Sequence, residues 1–426
     1  MAAFYILASI IFLGFLASGT TGPFFPLYAA SLGGSLADIA LVVGTFSATN
    51  LIASLWWGRV ADRIGRRKPL LVGAMGTLVL TNLLISQAGV WWVLLPLRLV
   101  EGVAIGAYGV ANLAMMGDIL EGHPHRARLI GAYRMSGSLA FSIAIVVAGL
   151  VAQTSGFHTT YTVASGIYFV AFAISLFLPE HRTAAASAGA RARTSFAELA
   201  RGPMLPLMIV AASFSLPFAA VYSMWPVWVA DGLGLGRATF SQLWGLAAFV
   251  EVPCMALAGF ATDRFGRRLT FGVGLVLFAC VYLLYLNAPA LGALLPPVVL
   301  EWLPASEAPG RSALPVLIVA QVVRGFAFAA FTATALTMAI EVAPPAARGR
   351  SAGLFQMAQS LSGIVGSYLG GPIAQGVGYL ALFAGAAATV LSGAVYTLVT
   401  LRTSRPGDPA GPGEMGLRPE RAARSR

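Results

Sequence analysis

Two near-copies of a ten-residue signature stand 201 positions apart: Gly58-Arg-Val-Ala-Asp62-Arg63-Ile-Gly65-Arg66-Arg67 and Gly259-Phe-Ala-Thr-Asp263-Arg264-Phe-Gly266-Arg267-Arg268. Each sits between two long apolar runs. A basic, glycine-punctuated hairpin between membrane-crossing helices, written once per half, describes a duplicated membrane protein with two pseudo-symmetric bundles.

The apolar runs set the fold class. A membrane-crossing helix needs about 20 predominantly apolar residues. The chain offers twelve such stretches, near 4–30, 38–57, 69–88, 91–117, 128–151, 157–178, 203–230, 240–260, 269–288, 313–340, 349–374 and 378–401. With 58% hydrophobic and 10% charged residues, the composition excludes an ordinary soluble domain. The expected fold is all-α: twelve transmembrane helices in two six-helix bundles. Residues 1–178 would form the first bundle and 203–401 the second, with a polar, Ala/Ser-rich cytoplasmic linker at 179–202 and a disordered cytoplasmic tail at 402–426.

The net charge of +11 suggests nucleic acid until its distribution is considered. With the N-terminus inside, the even-numbered connections, the linker and the tail hold 22 of the 27 Lys/Arg, and the outward loops hold only Arg237 and Arg311. That asymmetry is the positive-inside rule, so the basicity sets topology and both termini are expected in the cytoplasm. The first span lacks a basic n-region, which argues against a cleaved signal peptide. Cys254 and Cys280 fall inside spans and read as core residues rather than metal ligands or a disulfide. No phosphate-binding loop signature occurs, so any work is expected to draw on a gradient, without a cofactor and without enzyme chemistry.

The repeat reaches past the hairpins. Pro26-Leu-Tyr-Ala-Ala-Ser-Leu-Gly after span 1 echoes Pro226-Val-Trp-Val-Ala-Asp-Gly-Leu after span 7. Asp118 with Arg126, Arg128 and Gly131 echoes Glu341 with Arg348, Arg350 and Gly353, now at a shift near 222 because the stretch from Pro289 to Ser312 is inserted. The doubled Gly-x-x-x-Asp-Arg-x-Gly-Arg-Arg after spans 2 and 8, in a six-plus-six protein with a long central loop, resembles the major facilitator superfamily over essentially the whole chain. The Pro23-Phe-Phe-Pro26-Leu-Tyr28 ending of span 1 is similar to its bacterial drug and sugar efflux branches. That resemblance implies a monomeric inner-membrane transporter working by alternating access. It also assigns Asp62 and Asp263, with Gly58, Arg63, Gly65, Arg66, Arg67, Gly259, Arg264, Gly266, Arg267 and Arg268, to a cytoplasmic gate. The basic residues there have a second reading, as topology signals that contact anionic lipid.

A charge at the bilayer centre costs several kcal/mol, so intramembrane charges face a cavity or a partner. Five qualify: Arg98 and Glu101 in span 4, Arg134 in span 5, Glu251 in span 8 and Arg324 in span 10. Glu251 stands eight residues before Gly259, roughly 12 Å along the helix axis, and is the leading proton carrier. Its alternative role is a permanent structural ion pair with Arg324. Arg98 and Glu101, three apart, share one helix face, which fits either a local neutralising pair or coupling. Arg98-Leu-Val-Glu101-Gly102-Val-Ala-Ile-Gly106 resembles the span-4 motif that the family associates with proton coupling. Under the repeat, Gln321 matches Arg98, Arg324 matches Glu101 and Gly325 matches Gly102, so the second half carries a base where the first carries an acid. Gly102 and Gly106 are expected to serve close helix packing. Phe24, Tyr28, Trp225, Trp228 and Trp244 are candidates for an apolar cavity wall, and Gln321 and Gln356 for polar recognition.

Drug/proton antiporters of the family carry Gly-x-x-x-Gly-Pro-x-x-Gly-Gly in span 5, whereas this chain reads Ser136-Gly-Ser-Leu-Ala-Phe there and has Gly370-Gly371-Pro372 in span 11. Proton-coupled export of a drug-like compound or sugar is the first expectation, proton-coupled uptake of a sugar or similar metabolite the second, and a non-transporting membrane scaffold the third. The expected partners are a small-molecule substrate, protons and membrane lipid.

Overall fold

The computed structural model describes residues 2–120, 125–179, 204–296, 308–341 and 348–400. Twelve long helices account for nearly all of them: α1 Ala2–Thr21, α2 Leu36–Ile64, α3 Lys68–Ser86, α4 Leu94–Ile119, α5 Arg126–Thr154, α6 Gly156–Leu176, α7 Met204–Val227, α8 Gly236–Phe265, α9 Arg267–Ala293, α10 Leu314–Glu341, α11 Arg348–Gly376 and α12 Tyr379–Thr400. Local chemistry fixes several of their ends. Gly22-Pro23 breaks the first span into a 3-10 turn before a last helical piece, Phe25–Ser31. Ser35 and Asp38 form a reciprocal capping box at the start of α2, with Ser35 Oγ accepting from the Asp38 amide and Asp38 Oδ2 accepting from the Ser35 amide. Gly65 closes α2 in the left-handed region at φ 61°, a conformation that favours glycine.

Eleven of the twelve helices are long and apolar enough to cross a membrane. The exception is α11, which carries Ser351, Gln356, Gln359, Ser360, Ser362 and Ser367. It packs against α7 and α2, so protein rather than lipid meets much of its surface. The expected loop from Pro289 begins later than the sequence suggests, because α9 runs through Pro289 to Ala293. On the far side of the insertion the Gly310 amide donates to the Leu233 carbonyl oxygen at 2.9 Å, which ties that stretch back to the end of α7. The expected linker and tail lie outside the described residues, apart from Pro179.

The duplication is geometric. In the first half α1 packs on α5 and α6, α3 on α4 and α6, and α2 on α4; in the second half α7 packs on α11 and α12, α9 on α10 and α12, and α8 on α10. Each pairing of one bundle recurs six helices later. The bundles meet through α2 with α11 and α5 with α8, two contacts that the same shift exchanges.

Those contacts gather at one end. A Cβ on Gly371 of α11 would strike the Leu36 carbonyl and Ala40 of α2, and one on Gly149 of α5 would strike Ser241 of α8. Tyr368 bonds Thr45 at 3.2 Å and lies against Gly44, and Val146 lies against Gly245. Small residues let backbones approach closely where lipid offers no hydrophobic drive between helices. This end, opposite the hairpins, is closed. At the hairpin end a Cβ on Gly58, Gly259 or Gly353 would meet nothing within 4 Å.

Candidate functional site

In the first bundle the charges neutralise each other. Arg98 Nη1 donates to Glu101 Oε2 at 2.6 Å, and both side chains are buried. The guanidinium lies between the rings of Phe25 and Phe46, 4.0 and 3.9 Å from their centroids. Such stacking suits arginine, whose planar, weakly hydrated cation tolerates aromatic faces. Gly102 and Gly106 bring α4 against α2: a Cβ on Gly102 would stand 3.0 Å from the Phe46 carbonyl oxygen and from Thr49 Cβ, and one on Gly106 2.9 Å from the Ser54 amide. The packing role read from the sequence is what the structure places there.

The second bundle keeps this frame and changes its chemistry. A Cβ on Gly325 of α10 would lie 3.0 Å from the Ala247 carbonyl oxygen and 2.9 Å from Val250 Cβ of α8. Ala247 and Val250 are the 201-residue counterparts of Phe46 and Thr49, so the two contacts match atom for atom. Glu251 follows Val250 and is therefore set at the contact between α8 and α10, half-buried. Its counterpart in the first bundle is Asn50. The permanent ion pair weighed for Glu251 and Arg324 is not formed here: among the described residues the two make no salt bridge.

Arg324 has instead turned onto aromatic faces, 4.9 Å from the ring centroids of both Tyr222 and Trp244. It is 7% exposed, and its Nη1 has no hydrogen-bond acceptor. Beside it Gln321 Nε2 donates to the Tyr285 hydroxyl at 2.8 Å, and the Tyr285 and Tyr222 hydroxyls lie 3.2 Å apart. Gln321 Oε1 is buried without a partner. One bundle thus holds a closed ion pair, with only Arg98 Nε left without a partner, while the other holds an acid and a base that are not bonded to each other, beside the unfilled Gln321 Oε1 and Arg324 Nη1.

The remaining sequence candidates disperse. Phe24, Tyr28, Trp225 and Trp228 are buried in this conformation. Phe24 stands edge-on to Phe240 of the other bundle, Trp228 edge-on to Phe383, and the Tyr28 hydroxyl donates to the carbonyl oxygens of Ile85 and Ala88. Trp244 is half-buried beside Arg324, and Gln356 is exposed on α11. The side chains of Arg134 and Asp62 lie outside the described residues. Phe46, Tyr222, Tyr285 and Asn50 belong to these clusters and were not singled out from the sequence. The repeat offset of 201 from Glu251 points to Asn50; for the aromatics no local signal separates a ring beside a cation from a ring in the core.

At the hairpins, Arg67 ion-pairs with Asp118 and donates to the Ala114 carbonyl oxygen at 2.8 Å, which ties the first turn to the end of α4 within its own bundle. Asp263, Arg63 and Arg264 are exposed, and Arg268 is half-buried. Gly266, like Gly65, has positive φ, at 85°.

Comparison with known proteins fits this geometry. The "Multidrug resistance protein MdtG" of Proteus mirabilis (strain HI4320) is 25% identical over 399 residues, which cover 89% of this chain and 91% of that protein. The protein of the same name from Klebsiella pneumoniae (strain 342) is 26% identical over 397 residues, 89% of each. The crystal structure of the nucleoside transporter NupG superposes with a TM-score of 0.76 over 93% of this chain and 98% of its own at 15% identity, a likeness of fold alone. The family model for the Major Facilitator Superfamily matches residues 7–302 and 290–424. With its two six-helix bundles, this chain is a multi-pass membrane transporter that belongs to the Major Facilitator Superfamily.

Proposed function

We propose that the protein exports a small organic solute, drug-like or sugar-like, across the bacterial inner membrane by alternating access, and that inward proton movement through Glu251 drives it. The observation that carries this reading is the separation of Glu251 from Arg324 in the second bundle. An acid with a basic neighbour nearby but no bond to it can take up and release a proton without breaking a buried salt bridge. The contrast with the closed Arg98–Glu101 pair supports a coupling role in the second bundle and a structural role in the first.

Substrate binds between the bundles near mid-membrane, where Trp244 and Glu251 are half-buried. The placement of basic residues supports hairpins that face the cytoplasm, and with that orientation this conformation is open inward. Export is favoured by the relatives named as multidrug resistance proteins.

The test is proton flux in proteoliposomes with an internal pH dye, across a panel of sugars and cationic drugs, for wild type and Glu251→Gln. A substrate-triggered flux lost in Glu251→Gln is the expected result, and its sign separates antiport from symport. Substrate movement in wild type without proton flux would overturn the coupling and leave Glu251 a structural group.

A further inference from the structure

At the closed end, each bundle caps a helix of the other. Gln153, near the end of α5, accepts through Oε1 from two amides at the start of α8, Arg237 N and Ala238 N, both at 3.1 Å. Gln375, near the end of α11, accepts through Oε1 from Ala37 N at the start of α2, at 2.9 Å. The two glutamines are 222 positions apart and Ala37 and Ala238 are 201 apart, the same two shifts that relate the halves elsewhere. Each glutamine stands four residues after a glycine that admits the opposing helix, in Gly149-Leu-Val-Ala-Gln153 against Ser241 and Gly371-Pro-Ile-Ala-Gln375 against the Leu36 carbonyl. Glycine and glutamine therefore share one helix face.

The first amides of a helix have no partner within it and need an outside acceptor. The start of α8 has no side-chain cap from its own neighbourhood. Its only acceptor among the described side chains comes from the other bundle. At α2 the capping box of Ser35 and Asp38 occupies other groups, and Ala37 N is left for Gln375. Arg237 adds a third strand to the first site: its Nη1 donates to the Ala152 carbonyl oxygen at 2.9 Å, and its guanidinium lies 4.1 Å from the Phe157 centroid.

We propose that Gln153 and Gln375 form a duplicated latch that holds the end opposite the hairpins shut by supplying helix caps that exist only while the bundles touch. This rests on the alternating-access reading. Opening that end withdraws both acceptors together and leaves the starts of α2 and α8 to water, so the latch biases the equilibrium toward the conformation open at the hairpins. A side chain that filled the same space without accepting hydrogen bonds would pack equally well and release the bias. The two sites differ in one respect. A carboxylate at either position would meet a helix N-terminus, which favours it; the one at 153 would also stand beside Arg237, whereas the one at 375 would share the start of α2 with the like-charged carboxylate of Asp38, next to Ala37.

The experiment is pulsed distance measurement between spin labels in lipid nanodiscs, with Cys254 and Cys280 replaced by alanine. Labels at Val90→Cys and Val377→Cys, both exposed, report the closed end, and labels at Ile64→Cys and Phe265→Cys report the hairpin end. Gln153→Met with Gln375→Met is expected to raise the ratio of wide to narrow distances at the closed end at least about tenfold, the fold-change for losing three hydrogen bonds at the low end of net strength, as suits their exposed setting, with a matching narrowing at the hairpin end. Gln153→Glu alone is expected to keep the narrow population, and Gln375→Glu alone to widen it. Gly371→Trp, a wedge against α2, opens this end whether or not the latch exists. Widening in Gly371→Trp without widening in the double Met variant would overturn the latch. Absence of any paired response in Gly371→Trp would overturn alternating access itself. If the double Met variant does not fold, the opposite responses of the two Glu variants decide the question, and equal responses overturn the latch.

Discussion

The four charged side chains at membrane depth that the structure describes, Arg98, Glu101, Glu251 and Arg324, divide into a closed pair and an open one. Arg98 and Glu101 satisfy each other at 2.6 Å and stack between two rings. Removing one member of a buried pair leaves an uncompensated charge and costs about 3–5 kcal/mol, whereas replacing both with apolar residues of similar size is often near neutral. Arg98→Met and Glu101→Leu are each expected to lower thermal stability steeply in detergent, and the double variant to recover most of it. Transport by the double variant separates two roles: retained flux marks the pair as structural, and a stable protein without flux returns it to coupling. The i,i+3 spacing put Arg98 and Glu101 on one helix face and left a neutralising pair and a coupling role both open; the structure shows the pair formed. The orientation of Arg324 was not, because the preference of its guanidinium for Tyr222 and Trp244 depends on how α7, α8 and α10 rotate about their own axes.

Helix contacts carry the symmetry from residues to bundles. Gly102 and Gly325 meet equivalent atoms of α2 and α8, so adding bulk at either should disturb equivalent contacts with different consequences. Overpacking of this kind costs typically 1–3 kcal/mol. Gly102→Val is expected to reduce the yield of folded protein and leave Glu251 alone. Gly325→Val is expected to do the same and also change the proton flux, since it pushes Val250, next to Glu251, away from α10. Equal flux defects from both substitutions would contradict this assignment. The helices themselves were legible from apolar length, and the hairpins from their doubled glycines. α11 shows where length and apolarity stop being sufficient: its serines and glutamines are tolerated because α2 and α7 cover part of it. The Gly-x-x-Ala-Gln repeat was present in the chain at the same 222 shift as Arg126 and Arg348. It carries no charge and breaks no helix, so only the contact between bundles gives it meaning.

For the whole molecule, the distribution of close contacts implies which side of the membrane reaches the interior. Backbones touch between bundles at the end where α2 and α8 begin, and glycines at the hairpin end have empty space beside them. If the hairpins are cytoplasmic, solvent enters from the cytoplasm in this conformation and is excluded from the other face. Cysteine labelling tests orientation and state together. Gly353→Cys, exposed on α11 near the hairpin end, should react with a membrane-permeant maleimide in intact cells, resist an impermeant one, and react with the impermeant reagent in inside-out vesicles. Ser241→Cys replaces a fully buried residue at the contact with Gly149 and should resist the impermeant reagent from either side. A closed population of nine-tenths would slow its labelling about tenfold. Reaction of Gly353→Cys with the impermeant reagent on intact cells would reverse the topology and with it the direction in which the cavity opens. Fast outside labelling of Ser241→Cys would instead keep the topology and place the resting equilibrium on the other side, with the closed end open and the latch disengaged. Only slow labelling at Ser241→Cys combined with inside-only labelling at Gly353→Cys agrees with a transporter that waits for its substrate, or for the proton on Glu251, with its cavity facing the cytoplasm.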